Sequence, residues 1–188
     1  MKITIPTALT LLRIAMIPLL VVVFYLPIPG ARTLSALIFL IAAFSDWLDG
    51  FLARRLDLTS RFGAFLDPVA DKLIVATALI VLLEDNPNIL FAISTLVIIG
   101  REITISALRE WMAEIGQRTN VAVSYIGKIK TAAQMTAITM LLYQYEFAGL
   151  PTYNIGLYVL YLSVILTIWS MMQYLRAAWP ALRDEGGS

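Results

Sequence analysis

Six apolar segments follow one another along the chain, at about Leu9 to Leu26, Leu34 to Ala53, Gly63 to Leu83, Ile89 to Leu108, Ile126 to Tyr145 and Ile155 to Leu175. They leave no water-soluble stretch long enough to fold by itself. Away from water only helices and closed barrels satisfy every backbone N–H and C=O, and segments of this length suit helices. Composition agrees: of 188 residues 60% are hydrophobic and 14% charged, against roughly 25% charged in soluble domains, and mean hydropathy is +0.81. The expectation is an all-α integral membrane protein forming one six-helix domain over residues 1–185. Gly186, Gly187 and Ser188 are read as a tail outside it, disordered or appended. Pro27, Pro29 and Gly30, then Asn86 and Pro87, then Gly149 and Pro151 mark three tight connections. The first dozen residues are expected to lie along the membrane interface as a short amphipathic lead-in. No A-x-A-like cleavage site follows them, so the N-terminus is read as retained.

A spanning helix needs about 20 residues, yet the apolar runs Leu34 to Phe44, Leu73 to Leu83 and Ile89 to Ile99 hold only eleven each. To cross, the second helix must include Asp46 and Asp49, the third Asp67 and Asp71, and the fourth Arg101. Charges at that depth belong inside the bundle rather than against lipid. Basic residues set the orientation. With a cytoplasmic N-terminus, Lys2, Arg13, Arg54, Arg55, Arg61, Lys72, Arg101, Arg109, Arg118, Lys128, Lys130, Arg176 and Arg183 fall toward one face and Arg32 toward the other. That positive-inside bias predicts both termini in the cytoplasm.

With Cys 0 and His 0, thiolate and imidazole chemistry is excluded. What remains is carboxylates, Lys/Arg, hydroxyls and metal ions. Asp46, Asp49, Gly50 and Ala53 stand at i, i+3, i+4 and i+7 on one helical stripe, and Gly63, Asp67 and Asp71 at i, i+4 and i+8 on another. Helix two ends, and helix three begins, on the same side of the membrane, so the four aspartates arrive at similar depth. Pro68 is tolerated in a first turn, so helix three is expected to begin near Asp67 with its free N–H groups beside the cluster. Two like charges at 4 Å repel by on the order of 4 kcal/mol at an effective dielectric near 20. Four such groups therefore require protons or cations. All-oxygen ligands suit hard ions, Mg²⁺ or Mn²⁺, and two ions sharing the aspartates would suit phosphoryl displacement. The competing reading is structural ion pairing with Arg54, Arg61 or Lys72. Gly50, Ala53 and Gly63 also suit close helix packing.

The spacing Asp46-x-x-Asp49-Gly50-x-x-Ala53-Arg54, then eight residues, then Gly63-x-x-x-Asp67-x-x-x-Asp71, resembles the CDP-alcohol phosphotransferase signature with all eight fixed positions filled. The resemblance extends through Ile5-Pro6-Thr7, Thr10 and Arg13, Arg101-Glu102-Ile103, Ala107 to Trp111 and Gly127 to Thr131, with Thr4 standing where Asn is usual. These blocks resemble the bacterial branch that uses CDP-diacylglycerol and glycerol 3-phosphate. The resemblance implies a homodimeric six-helix enzyme of the bacterial cytoplasmic (inner) membrane, surrounded by membrane lipids, with its active site facing the cytoplasm. Asp46, Asp49 and Asp67 would ligate metal, and Asp71 would combine metal ligation with general-base work. Asp46, Asp49, Gly50, Ala53, Arg54, Gly63 and Asp67 would hold the cytidine diphosphate. No nucleic-acid partner is expected.

The acceptor's phosphate needs a basic pocket. Arg101 and Arg109, eight apart on one face of helix four, with Lys128 and Lys130 opening helix five, are the candidate clamp. The competing reading is that they touch lipid headgroups. Lys128 and Lys130, two apart, do not share a helical face. Glu102, Glu110 and Glu114 read as partners of neighbouring Arg residues. Trp111, Trp169, Trp179, Tyr153 and Tyr174 read as interfacial anchors. Related enzymes with another acceptor, in cardiolipin or phosphatidylinositol-phosphate synthesis, are the nearest alternative. A cation-coupled transporter is a more distant one and would carry polar residues through to the far face.

Overall fold

The computed structural model describes residues 5–56, 61–115 and 125–185. The side chains of Asp49, Gly50, Ala53, Arg54, Arg61 and Lys128 lie outside the described set, as do residues 186–188. The described residues form six helices: α1 (Ile5–Tyr25), α2 (Ala31–Leu56), α3 (Arg61–Asp85), α4 (Ile89–Glu114), α5 (Tyr125–Tyr143) and α6 (Thr152–Glu185). Each overlaps the apolar segment that predicts it, with α1 stopping at Tyr25, short of Leu26, and α5 at Tyr143, short of Tyr145. The punctuation also falls where Pro and Gly require it. Gly30 (φ +82°) and Gly149 (φ +76°) adopt the left-handed conformation that a residue with a Cβ disfavours. Asn88 caps α4, its side chain accepting from the Leu90 N–H at 2.8 Å, which satisfies one of the helix's orphan donors.

Two expectations about helix starts are corrected. From Ile5 onward the N-terminal stretch is not a separate lead-in but the first turns of α1. Pro6 lies in that first turn, where a missing N–H is harmless, and Thr7, Thr10 and Arg13 are buried on the face turned to α2 and α3. Helix α3 begins at Arg61 rather than near Asp67, so Pro68 sits about two turns inside it. The free N–H groups of the helix start therefore lie below the carboxylates, and Pro68 removes one internal hydrogen bond instead.

Helix α1 packs on α2 and α3, α5 on α6 and α2, and α4 on α6 and α3. Successive helices run in opposite directions, and the bundle divides into two halves. Leu20 and Phe24 of α1, Phe39 of α2, Leu79 of α3, Ile98 of α4, Ile138 of α5 and Leu160 of α6 form one apolar core. Among the described residues the buried charged and amide side chains, Arg13, Arg101, Lys130 and Gln134, gather in the other half with Thr10, Ser45, Thr167 and Ser170, while the apolar half buries the hydroxyls of Ser35, Ser94, Thr95 and Thr152. Helices α5 and α6 approach closely at Gly156, where an added Cβ would lie 3.0 Å from the Met140 Cβ and 3.3 Å from the Ala137 carbonyl.

Among the described residues three helices are long and apolar enough to cross a membrane: Thr7–Tyr25, Ile89–Glu114 and Thr152–Trp179, with mean hydropathies of 2.3, 1.8 and 1.9. Their outward faces carry large apolar side chains such as Leu96, Ile165 and Trp169, more than half exposed. In water such a surface would aggregate; in lipid it is at home. Helices α2, α3 and α5 carry the aspartates and lysines of the polar half.

Candidate active site

The polar half is organised around Arg13, an α1 side chain only 1% exposed. Its Nη1 donates to Asp71 Oδ1 on α3 and lies 3.4 Å from Asp46 Oδ1 on α2. Its Nε donates to Ser45 Oγ at 3.5 Å. One turn earlier on the same face, Thr10 Oγ1 donates to Asp67 Oδ1. Helix α1 thus carries a row of donors at i and i+3 that meets carboxylates from two other helices. The predicted meeting of the α2 and α3 stripes holds for Asp46 and Asp71, with Asp67 one turn away on the same α3 stripe. Buried Gly63 lies at the start of that stripe.

Among the described residues the ion-pair partner is Arg13, which was not weighed in the sequence, whereas Lys72 Nζ donates to Ser106 Oγ across α3 and α4; Arg54 and Arg61 lie outside the described side chains. Among the described residues no three acidic side chains converge on one point, Asp49 lying outside that set. Asp46 and Asp71 do converge on a single cationic nitrogen, each carboxylate partly open to solvent.

A second charged group faces them. Lys130 Nζ of α5 donates to Glu102 Oε1 at 2.6 Å, and Arg101 Nη1 donates to the same oxygen at 2.8 Å. Arg101 also reaches Ser170 Oγ of α6 at 3.3 Å. Between the two groups lies a cavity of about 220 Å³, lined by Asp46, Asp71, Lys72, Glu102, Lys130 and Gln134 among others. Next to it, an apolar slot of about 250 Å³ between α3 and α4 shares Lys72, Val75 and Glu102 with that cavity.

Three of the four candidate clamp residues are described, and their surroundings differ. Lys130 lines the cavity directly, and Arg101 stands behind it through Glu102. Arg109 is exposed and tied to α6, its Nη2 donating to Tyr174 Oη at 2.6 Å. Lys128 lies outside the described side chains. Tyr174 corrects its reading as an interfacial anchor: it is 8% exposed, with the Arg109 guanidinium 5.0 Å and the Arg101 guanidinium 5.7 Å from its ring centre. The flat guanidinium stacks on an aromatic face, so a tyrosine about one and a half turns from Trp179 is drawn inward. Trp169 and Trp179 are exposed, as anchors should be. The pairing of Glu102 with Arg101 agrees with the sequence. Its hold on Lys130, 28 residues away, has no local sequence signal, and neither has the role of Arg13.

The model of the CDP-alcohol phosphatidyltransferase family matches residues 3–169. The chain belongs to that family. The matched stretch takes in all eight signature positions and both walls of the cavity. Relatives named CDP-diacylglycerol–glycerol-3-phosphate 3-phosphatidyltransferase match almost end to end. The one from Pectobacterium atrosepticum is 55% identical over 95% of this chain and 96% of its own. Those from Salmonella choleraesuis and Escherichia coli K12 are 52% and 49% identical, each over 98% of this chain and 100% of theirs.

Proposed function

We propose that this protein transfers the phosphatidyl group of CDP-diacylglycerol to the 1-hydroxyl of glycerol 3-phosphate, releasing CMP and forming phosphatidylglycerophosphate. The carrying observation is the near-complete match, at about half identity, to relatives bearing that activity's name. A cavity with carboxylates on one wall and a buried lysine on the other supports it. The acceptor phosphate sits toward Lys130, with Arg101 and Glu102 fixing that ammonium from behind. Across the cavity Asp71 accepts the proton of the attacking hydroxyl at its carboxylate. Arg13 holds Asp71 and Asp46 in place, so the base does not swing toward lipid. Gly50, Ala53 and Arg54 on α2 and Gly63 on α3 receive the cytidine diphosphate. The apolar slot between α3 and α4 gives an acyl chain of the donor a path to lipid.

The donor set fits hard divalent cations. Asp46 and Asp71 already share one positive nitrogen, offer only oxygen, and have Asp49 and Asp67 on the same two stripes. Mg²⁺ or Mn²⁺, two ions in this reading, would be held by Asp46, Asp49, Asp67 and Asp71 and would supply charge neutralisation of the diphosphate and a more acidic acceptor hydroxyl. All six helices span the bacterial cytoplasmic membrane, both termini and the cavity face the cytoplasm, and the protein works as a homodimer. The basic bias of the polar half supports that orientation. Among the described residues the opposite half buries hydroxyls but no charged or amide side chain, which favours a transferase over a cation-coupled transporter with a polar path through.

The test offers labelled glycerol 3-phosphate, inositol phosphate and phosphatidylglycerol side by side to the purified protein with CDP-diacylglycerol. Label is expected in lipid from glycerol 3-phosphate alone. Incorporation of either alternative with none from glycerol 3-phosphate would end the assignment.

A further inference from the structure

Gln134 has no part in the signature or the clamp, yet it lines the cavity beside Asp46, Asp71 and Lys130. It is 4% exposed, and its Oε1 is, among the described residues, one of four buried side-chain polar atoms without a partner, with Arg32 Nη1, Thr95 Oγ1 and Arg101 Nε. Of these four residues, Gln134 alone lines this cavity. Buried polar groups are nearly always satisfied, so an orphan oxygen on a side chain that lines a cavity points to a missing partner that a small turn of the amide toward the cavity would meet. The partner is a donor, because a side-chain amide oxygen only accepts.

Gln134 follows Lys130 by four residues, on the same face of α5 and about 6 Å along the axis. On the proposed reading, which this inference deepens, the acceptor's phosphate lies at Lys130 and its reacting 1-hydroxyl at Asp71. Glycerol 3-phosphate then has one polar group left, the 2-hydroxyl, between the two. We infer that Gln134 Oε1 accepts a hydrogen bond from the non-reacting 2-hydroxyl of the acceptor, and so selects a vicinal-diol phosphate over a simple hydroxyalkyl phosphate. A site that leaves a buried polar group unpaired rejects the analogue lacking the matching hydroxyl.

The experiment compares glycerol 3-phosphate with 3-hydroxypropyl phosphate, which lacks the 2-hydroxyl, by CMP release from CDP-diacylglycerol. Wild-type protein is expected to lose about 10- to 100-fold in kcat/KM with the analogue. Gln134→Met and Gln134→Leu keep volume and remove hydrogen bonding. They are expected to use the two acceptors within about threefold of each other, with the KM for CDP-diacylglycerol unchanged. Variants that still discriminate tenfold, or whose defect lies in the donor KM, overturn the inference. So does wild-type use of both acceptors within twofold, which needs no variant to fold. Wild-type protein that uses neither acceptor would instead overturn the proposed reaction on which the inference rests.

Discussion

Lys130 and Arg109 look alike in the sequence, two basic residues near the polar ends of their helices, but their surroundings differ. Lys130 is buried and lines the cavity; Arg109 is exposed and held by Tyr174. A charge-assisted hydrogen bond to phosphate contributes about 1.5–3 kcal/mol, so Lys130→Met should raise the KM for glycerol 3-phosphate roughly 10- to 100-fold. Arg109→Ala should raise it no more than about threefold, an exposed charge contributing under about 1 kcal/mol. Steady-state kinetics at saturating CDP-diacylglycerol decides, and equal effects would contradict the assignment of the phosphate to Lys130. The aspartates were legible because helical period places them on stripes and charges at that depth must face inward. Arg13 was not: a lone arginine in an apolar run reads as one more positive-inside residue. Only the crossing of α1 over α2 and α3 sets its guanidinium between Asp46 and Asp71.

Among the elements, the contact of α5 with α6 depends on the absence of a side chain at Gly156. Gly156→Leu forces atoms into the Met140 Cβ and the Ala137 carbonyl, and overpacking of this kind costs about 1–3 kcal/mol. The thermal midpoint in detergent should fall by several degrees. Gly100→Ala, with nothing within 4 Å of the added Cβ, should hold or raise it, since Ala is favoured over Gly within a helix by about 0.5–1 kcal/mol. The reverse order would show that the α5 and α6 contact is not as tight as described. Helix existence was legible from the apolar segments, and helix ends less so. Pro68 resembles a first-turn proline, yet α3 extends back to Arg61: the burial of Gly63 and the Thr10 hydrogen bond to Asp67 offset one lost backbone bond.

For the whole molecule, the division into an apolar and a polar half turns orientation into a measurable property. The chain has no cysteine, so single replacements report without background. Glu146 lies in the connection before α6 and Glu114 at the end of α4, both exposed and at opposite ends of the bundle. A membrane-impermeant maleimide should label Glu146→Cys in intact cells and Glu114→Cys only after permeabilisation. The opposite pattern would reverse the topology and remove the cavity from cytoplasmic glycerol 3-phosphate.

On the proposed reading, transfer depends on the carboxylate wall facing Lys130, and Asp71→Asn tests that reading most directly. The change keeps shape and removes the charge and the proton acceptor, so CMP release should fall about 10²- to 10⁴-fold, the usual contribution of a general base, while divalent-dependent binding of CDP-diacylglycerol persists in part. Turnover within a few-fold of wild type would contradict the account.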